Sequence, residues 1–181
     1  MNSRCFTLLV LLFTLGACCT EEYRFEDEVQ LTLVEAEFGR IQELGVVADT
    51  IRGPFEFHAE GRYLQATALP FVRPAQILMG FSCEETYDRI FDTEAYQLSL
   101  DKPVSIAGHS VGAGNNLLPA LEDLPPEDAS ILTFTSGLAV AFSAGALAAA
   151  NIPAGDYTFT FTGVLEDGTV FTRTVTTYLD L

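Results

Sequence analysis

The sequence ends in two stretches whose side chains alternate with a period of two. Residues 156–165 read Asp-Tyr-Thr-Phe-Thr-Phe-Thr-Gly-Val-Leu, and residues 169–178 read Thr-Val-Phe-Thr-Arg-Thr-Val-Thr-Thr-Tyr, with Glu166, Asp167 and Gly168 between them. Successive side chains of a strand point to opposite faces, so Tyr157, Phe159 and Phe161 share one face and the threonines share the other. A helix would scatter both sets around its circumference. Asp167-Gly168 suits a tight turn, because glycine takes positive φ without steric cost. The pattern predicts an antiparallel hairpin with Asp167-Gly168 at its tip and the aromatic face in a core. Pro153, Ala154 and Gly155 mark the turn into its first strand.

Shorter strand signals run back along the chain. Residues 29–38 alternate Val29, Leu31 and Leu33 with polar partners, a pattern that a helix could also carry. Residues 54–59 and 62–68 read as a strand pair or as one long bent strand. Residues 76–82, 96–100, 104–107, 131–135 and 137–142 are further short strands. Residues 117–124, stopped by Pro125-Pro126, suit a helical turn, and the alanines of 144–150 suit a short helix. Seven or more short strands separated by turn signals predict an all-β fold, a single antiparallel immunoglobulin-like β-sandwich spanning residues 29–181.

The beginning of the chain has a different character. Arg4 precedes an apolar run over residues 5–15, and the small residues Gly16 and Ala17 follow it. That is the order of an export signal, and the run is about half of the ~20 residues a spanning helix needs. Leu15-Gly16-Ala17-Cys18 resembles the lipobox of bacterial lipoproteins. The resemblance implies a signal peptide over residues 1–17, lipidation of Cys18, and the membrane as a partner through acyl chains. Residues 18–28 then read as an acidic tether, with Glu21-Glu22 and Glu26-Asp27-Glu28, similar to the surface-export tether of Bacteroidetes-type lipoproteins. That resemblance implies a place on the outer membrane, lipid-anchored and facing the cell surface. A plain solvated linker has the same composition.

At 49% apolar residues the chain is rich enough for a real core. Its 25 acidic residues against 9 basic ones give a formal net charge of −16, a field that repels nucleic acid and anionic membrane surfaces. Lys102 is the single lysine. Such a surface suits a halophilic or marine protein, and equally an ordinary acidic surface protein. Beyond signal and anchor only Cys19 and Cys83 remain, and Cys83 reads as an unpaired buried thiol. Cys19, His58, Cys83 and His109 lack the close ligand pairs of a zinc site.

One motif suggests catalysis. Gly108-His109-Ser110-Val111-Gly112 fits G-x-S-x-G, the nucleophile elbow of α/β-hydrolases, and follows an apolar strand. That chemistry needs a histidine able to take the serine proton, and in that fold it comes later in the chain. The histidines are His58 and His109, and His109 is the serine's own neighbour. A glycine-rich turn over residues 108–114 accounts for the motif. The acidic pairs Glu84-Glu85, Glu122-Asp123 and Glu127-Asp128 follow no calcium-loop spacing and read as solvated loop charge.

Taken together, the lipobox and acidic tether, Phe81-Ser82-Cys83-Glu84, Ala113-Gly114-Asn115-Asn116-Leu117, and the ending from Ile152-Pro153-Ala154-Gly155-Asp156-Tyr157 through Leu165-Glu166-Asp167-Gly168-Thr169 resemble an uncharacterised family of Bacteroidetes-type lipoproteins with immunoglobulin-like bodies. The resemblance implies a fold and a place, and no catalytic residue. The expectation is a non-enzymatic, lipid-anchored envelope module for binding or adhesion, without cofactor or metal, its ligand and oligomeric state left open. The competing expectation is a surface hydrolase or carbohydrate-processing accessory that works through acidic residues.

Overall fold

A computed structural model describes residues 20–35, 48–66 and 84–181. These residues fall into two compact units, one of residues 20–26, 63–66 and 84–88 and one of residues 27–35, 48–62 and 89–181. Strands β1 (Thr20–Glu35) and β3 (Phe55–Gln65) contribute to both. In the smaller unit they pair with β4 (Glu84–Tyr87) in the order β4–β1–β3.

The larger unit is built on two sheets. One has the order β1–β3–β9–β8, with β8 at Ala129–Phe134 and β9 at Gly137–Phe142. The other has the order β2–β12–β11–β5, with β2 at Thr50–Ile51, β5 at Gln97–Leu100, β11 at Gly155–Val164 and β12 at Val170–Leu179. Taking β1, β3, β5, β8, β9, β11 and β12 as A to G, the sheets read A-B-E-D and C-F-G. That is the strand order of an immunoglobulin constant-type sandwich. A third small sheet, β10–β6–β7, uses Val104–Ile106 as β6, His109–Val111 as β7 and Ala150–Asn151 as β10.

The terminal alternation forms as expected. Along β11, Tyr157, Phe159 and Phe161 are buried, while Thr158, Thr160 and Thr162 are half-buried on the other face. There Thr158 meets Thr176 at 3.0 Å and Thr162 meets Thr172 at 3.4 Å across the pair. Phe159 stacks on Phe57 at 5.8 Å and meets Phe55 edge-on at 6.0 Å, which joins β11 to β3 across the sandwich. Phe161 packs against Tyr96 and Phe91, and Phe55 stacks on Phe142 at 4.4 Å. Tyr157, at the start of strand F, donates its hydroxyl to the Pro153 carbonyl at 2.8 Å, the bond of a tyrosine corner.

At the hairpin tip the loop is a three-residue one. Leu165 N–H donates to the Thr169 carbonyl and Gly168 N–H to the Leu165 carbonyl, with Gly168 at φ +84°. Glycine is thus the left-handed residue that closes the loop.

Two expectations need correction. The sheets are not wholly antiparallel: β1 with β4 and β2 with β12 are parallel pairs. Each joins strands separated by long connections, which leave direction free where a tight hairpin would not. Residues 20–28, read as a tether, are the first part of β1, because alternating Tyr23 and Phe25 supply a face that packs against other rings. Of the two readings of residues 54–59 and 62–68, the single strand is the one that forms, as β3 over Phe55–Gln65, with residues 67–68 outside the described ones. The suggested helices are α1 (Leu118–Glu122) and α2 (Ala144–Ala149), and Ser143 Oγ caps α2 by accepting from the Gly145 and Ala146 N–H groups. The strand read at 76–82 lies outside the described residues, as do Cys18, Cys19 and Cys83.

Phe159→Ala should cost about 3–5 kcal/mol in a denaturant titration, because it removes the ring that bridges β11 to β3. Thr160→Ser should stay within about 0.5 kcal/mol of the parent. Gly168→Val should destabilise although its Cβ meets nothing within 4 Å, since the loss is backbone strain at positive φ.

Candidate binding site

The residues of the G-x-S-x-G motif form a hairpin. Ala107 at φ +50° and Gly108 at φ +80° are the two turn residues between β6 and β7, with Ile106 opposite His109. Two consecutive positive φ values are the signature of a type I′ turn. Ser110 lies in β7, exposed and paired with Ser105, so it is not held on a strained strand-to-helix turn. His109 points to the opposite face of the strand from Ser110, and its Nε2 lies 3.9 Å from Asp123 Oδ2. His58 pairs with Glu56 at 2.9 Å on β3. Serine and histidine are therefore not brought together as nucleophile and base.

The acidic pairs are also dispersed. Asp128 packs against the first turn of α2, where Gly145 leaves it space: a Cβ there would lie 1.7 Å from Asp128 Oδ1. Glu122 and Asp123 are exposed at the end of α1. No group of three or more His, Cys, Asp or Glu residues suited to a metal ion occurs among the described residues. In the larger unit an open hollow of about 690 Å³ lies beside the terminal loop, lined by Phe91, Asp92, Thr135, Leu165 and Glu166 among others. Next to it in sequence, Arg89 binds Asp27, Asp167 at 2.9 Å and Thr169 at 3.1 Å. Thr169 and Arg89 together hold the Asp167 carboxyl below the usual carboxylate range. This clasp ties the terminal loop to β1 and is structural.

The smaller unit holds an arrangement that sequence patterning did not single out. Strand β1 pairs in parallel with β4, which sets Glu21 opposite Glu85 and Tyr23 opposite Tyr87. The two tyrosine rings stack at 5.2 Å. Tyr63 of β3 meets Tyr87 edge-on at 4.9 Å and Phe25 at 5.3 Å, so four rings from three strands share one face. On β1 the two rings occupy alternate positions, as the pleat requires.

Acids hold the hydroxyls of Tyr23 and Tyr87. Tyr23 Oη donates to Glu21 at 2.8 Å and Tyr87 Oη donates to Glu85 at 2.9 Å. Burial, and then the bond to Glu85, push the Tyr87 phenol up to about 12, so it stays a hydrogen-bond donor throughout the physiological range. Asp88 accepts the Phe25 N–H at 2.8 Å and anchors the end of β4. An open hollow of about 250 Å³ lies here, lined by Glu22, Tyr23, Arg24, Ala66, Thr86, Tyr87 and Asp88. Rigid tyrosines with carboxylates at their rim are apt for binding a cationic group: the ring faces and the acids both attract positive charge. The sequence carried one signal of it, the period-two placement of Tyr23 and Phe25 in a stretch read as tether.

No family model and no curated protein matches this chain. Among solved structures, the C-terminal domain of the Streptococcus agalactiae AgI/II polypeptide BspA aligns at 17% identity with a TM-score of 0.27, covering 83% of this chain and 49% of that one. BcpA, the major pilin subunit of Bacillus cereus, aligns at 6% identity with a TM-score of 0.25, covering 84% and 39%. The chain thus spans half or less of each, and superpositions of that quality carry neither fold nor function to it.

Ser110 should remain unlabelled by a fluorophosphonate probe under conditions that label a control serine esterase. Intact-mass measurement checks this, and a stoichiometric adduct on Ser110 would contradict the hairpin reading.

Proposed function

We propose that this protein is a non-enzymatic binding and adhesion module, held at the cell surface by a lipid on Cys18, that engages a basic partner through Tyr23, Tyr63 and Tyr87. The tyrosine cluster with its rim of carboxylates is the observation that carries this reading. Aromatic residues concentrate binding energy because they offer large, stiff contact areas with few rotors to freeze. The formal charge of −16 supports the same choice, since a field of that sign speeds encounter with lysine- and arginine-rich surfaces.

An arginine-rich peptide is a suitable probe. It should bind the purified protein with an affinity that falls as salt rises, and Tyr87→Ala should weaken it by about tenfold, the effect of losing ~1.4 kcal/mol of contact. Calorimetry at two salt concentrations distinguishes this from diffuse charge attraction, which Tyr87→Ala would leave unchanged. The anchor rests on the lipobox, Leu15-Gly16-Ala17-Cys18. Cys18→Ser should release the protein from the membrane fraction. A variant that sediments with membranes as the parent does would refute the lipid anchor and leave the peptide result untouched.

A further inference from the structure

No Asp, Glu, Lys or Arg stands between Asp128 and Asp156 in a chain that has 25 acidic residues. This neutral stretch supplies β8, β9, α2 and β10. Strand β8 ends its sheet: it pairs with β9, and no described strand lies on its other side. Its Leu132 and Phe134 are 53% and 48% exposed.

Edge strands in monomers are normally blunted by charge, proline, brevity or a cover. The other long or uncharged edges of the sandwich follow that rule. Strand β12 carries Arg173 and has β2 against its last residues, and β5 is covered by backbone bonds from Gly114 and Leu117. Strand β8 has six residues without charge or proline; α1 and the Pro125 carbonyl, which accepts the Ala129 N–H, meet its first end, and from Ser130 to Phe134 its residues are exposed or half-buried.

We propose that β8 pairs with β8 of a second copy of this chain, in a two-fold antiparallel dimer. Charge selects the occupant. Two copies of net charge −16 repel over most of their surfaces, and the neutral stretch is where they approach at least cost.

Geometry then selects the register. A two-fold axis relating neighbouring antiparallel strands must run perpendicular to the sheet, so each residue faces one of the same parity. Ala129, Ile131 and Thr133 lie opposite the buried Phe142, Val140 and Leu138 of β9, which assigns Ser130, Leu132 and Phe134 to the outer face. Setting Leu132 against its counterpart puts Ser130 beside Phe134 and leaves Asp128 beside Ser136, beyond the apolar pairs. Centring on Ile131 would instead place Asp128 against Phe134. The Leu132-centred register is therefore favoured.

Such a pairing consumes the edge in both copies and closes the assembly at two. Six residues span roughly 20 Å, well short of a standard interface, so the dimer is weak and depends on local concentration.

The test uses the full chain in the cells that make it, with a photo-reactive p-benzoylphenylalanine replacing Leu132. Irradiation should yield a covalent dimer whose cross-linked peptide is β8 itself, and the same probe at Val170, exposed on β12, should yield none. With the probe at Ser130, the dimer should form and then be lost when Leu132→Lys is added. Retention of the parent's thermal melting by the Leu132→Lys protein separates loss of pairing from loss of fold. A cross-link to a different protein, a dimer joined outside β8, or no cross-link at position 132 would each overturn the proposal.

Discussion

The contact on which the larger unit depends is the stack of Phe57 on Phe159. These residues lie on strands B and F, the pair that antibody domains join with a disulfide across the sandwich. Here an aromatic seam does that joining. Phe55 lies between Phe142 and Phe159, and Phe91 and Tyr96 extend the packing along Phe161. Each large apolar ring contributes roughly 1.5–3 kcal/mol by burial alone, and the stacked and edge-on geometries add to it. With that seam in place, the strand order and the burial of alternate residues on β3, β9 and β11 follow from one requirement: apolar faces must meet.

Polar groups around the seam are matched rather than excluded. Tyr96 donates to the Phe134 carbonyl and Tyr157 to the Pro153 carbonyl, so both rings bury their bodies while their hydroxyls stay bonded. Lys102, the single lysine, donates to the Asp156 carbonyl and sits 5.0 Å over the Tyr157 ring. Its charge therefore braces the tyrosine corner. Gly137 shows the same economy of space: a Cβ there would lie 2.0 Å from the Ala59 carbonyl oxygen, so β9 begins where only glycine fits against β3.

The smaller unit and the neutral stretch of the larger one differ in chemistry. Tyrosines and carboxylates together form a region attractive to positive charge, whereas β8 to β10 carry no formal charge at all. The proposed adhesion and the proposed self-pairing make different demands on a surface. The first is served by field and stiff aromatic area, the second by an uncharged strand edge.

Local pattern determined a good part of this protein before any contact was known. The terminal hairpin, its buried Tyr157, Phe159 and Phe161, the turn glycine and the all-β class could be read because strand periodicity and turn chemistry act over a few residues. The failure of G-x-S-x-G as a nucleophile elbow was legible too, since no histidine follows Ser110 and His109 is its own neighbour. The type I′ turn at Ala107-Gly108 was not, because alanine at positive φ is a cost accepted for the β6–β7 pairing. Nor was the tyrosine cluster. Glu21 to Phe25 read as an acidic tether when taken alone, and became a strand only when Tyr63 and Tyr87, at least 38 residues away in the chain, supplied rings for it to pack against. Parallel pairing, long-range ring stacking and an open edge are decided by which segments meet in space, and no periodicity within a segment encodes its partner.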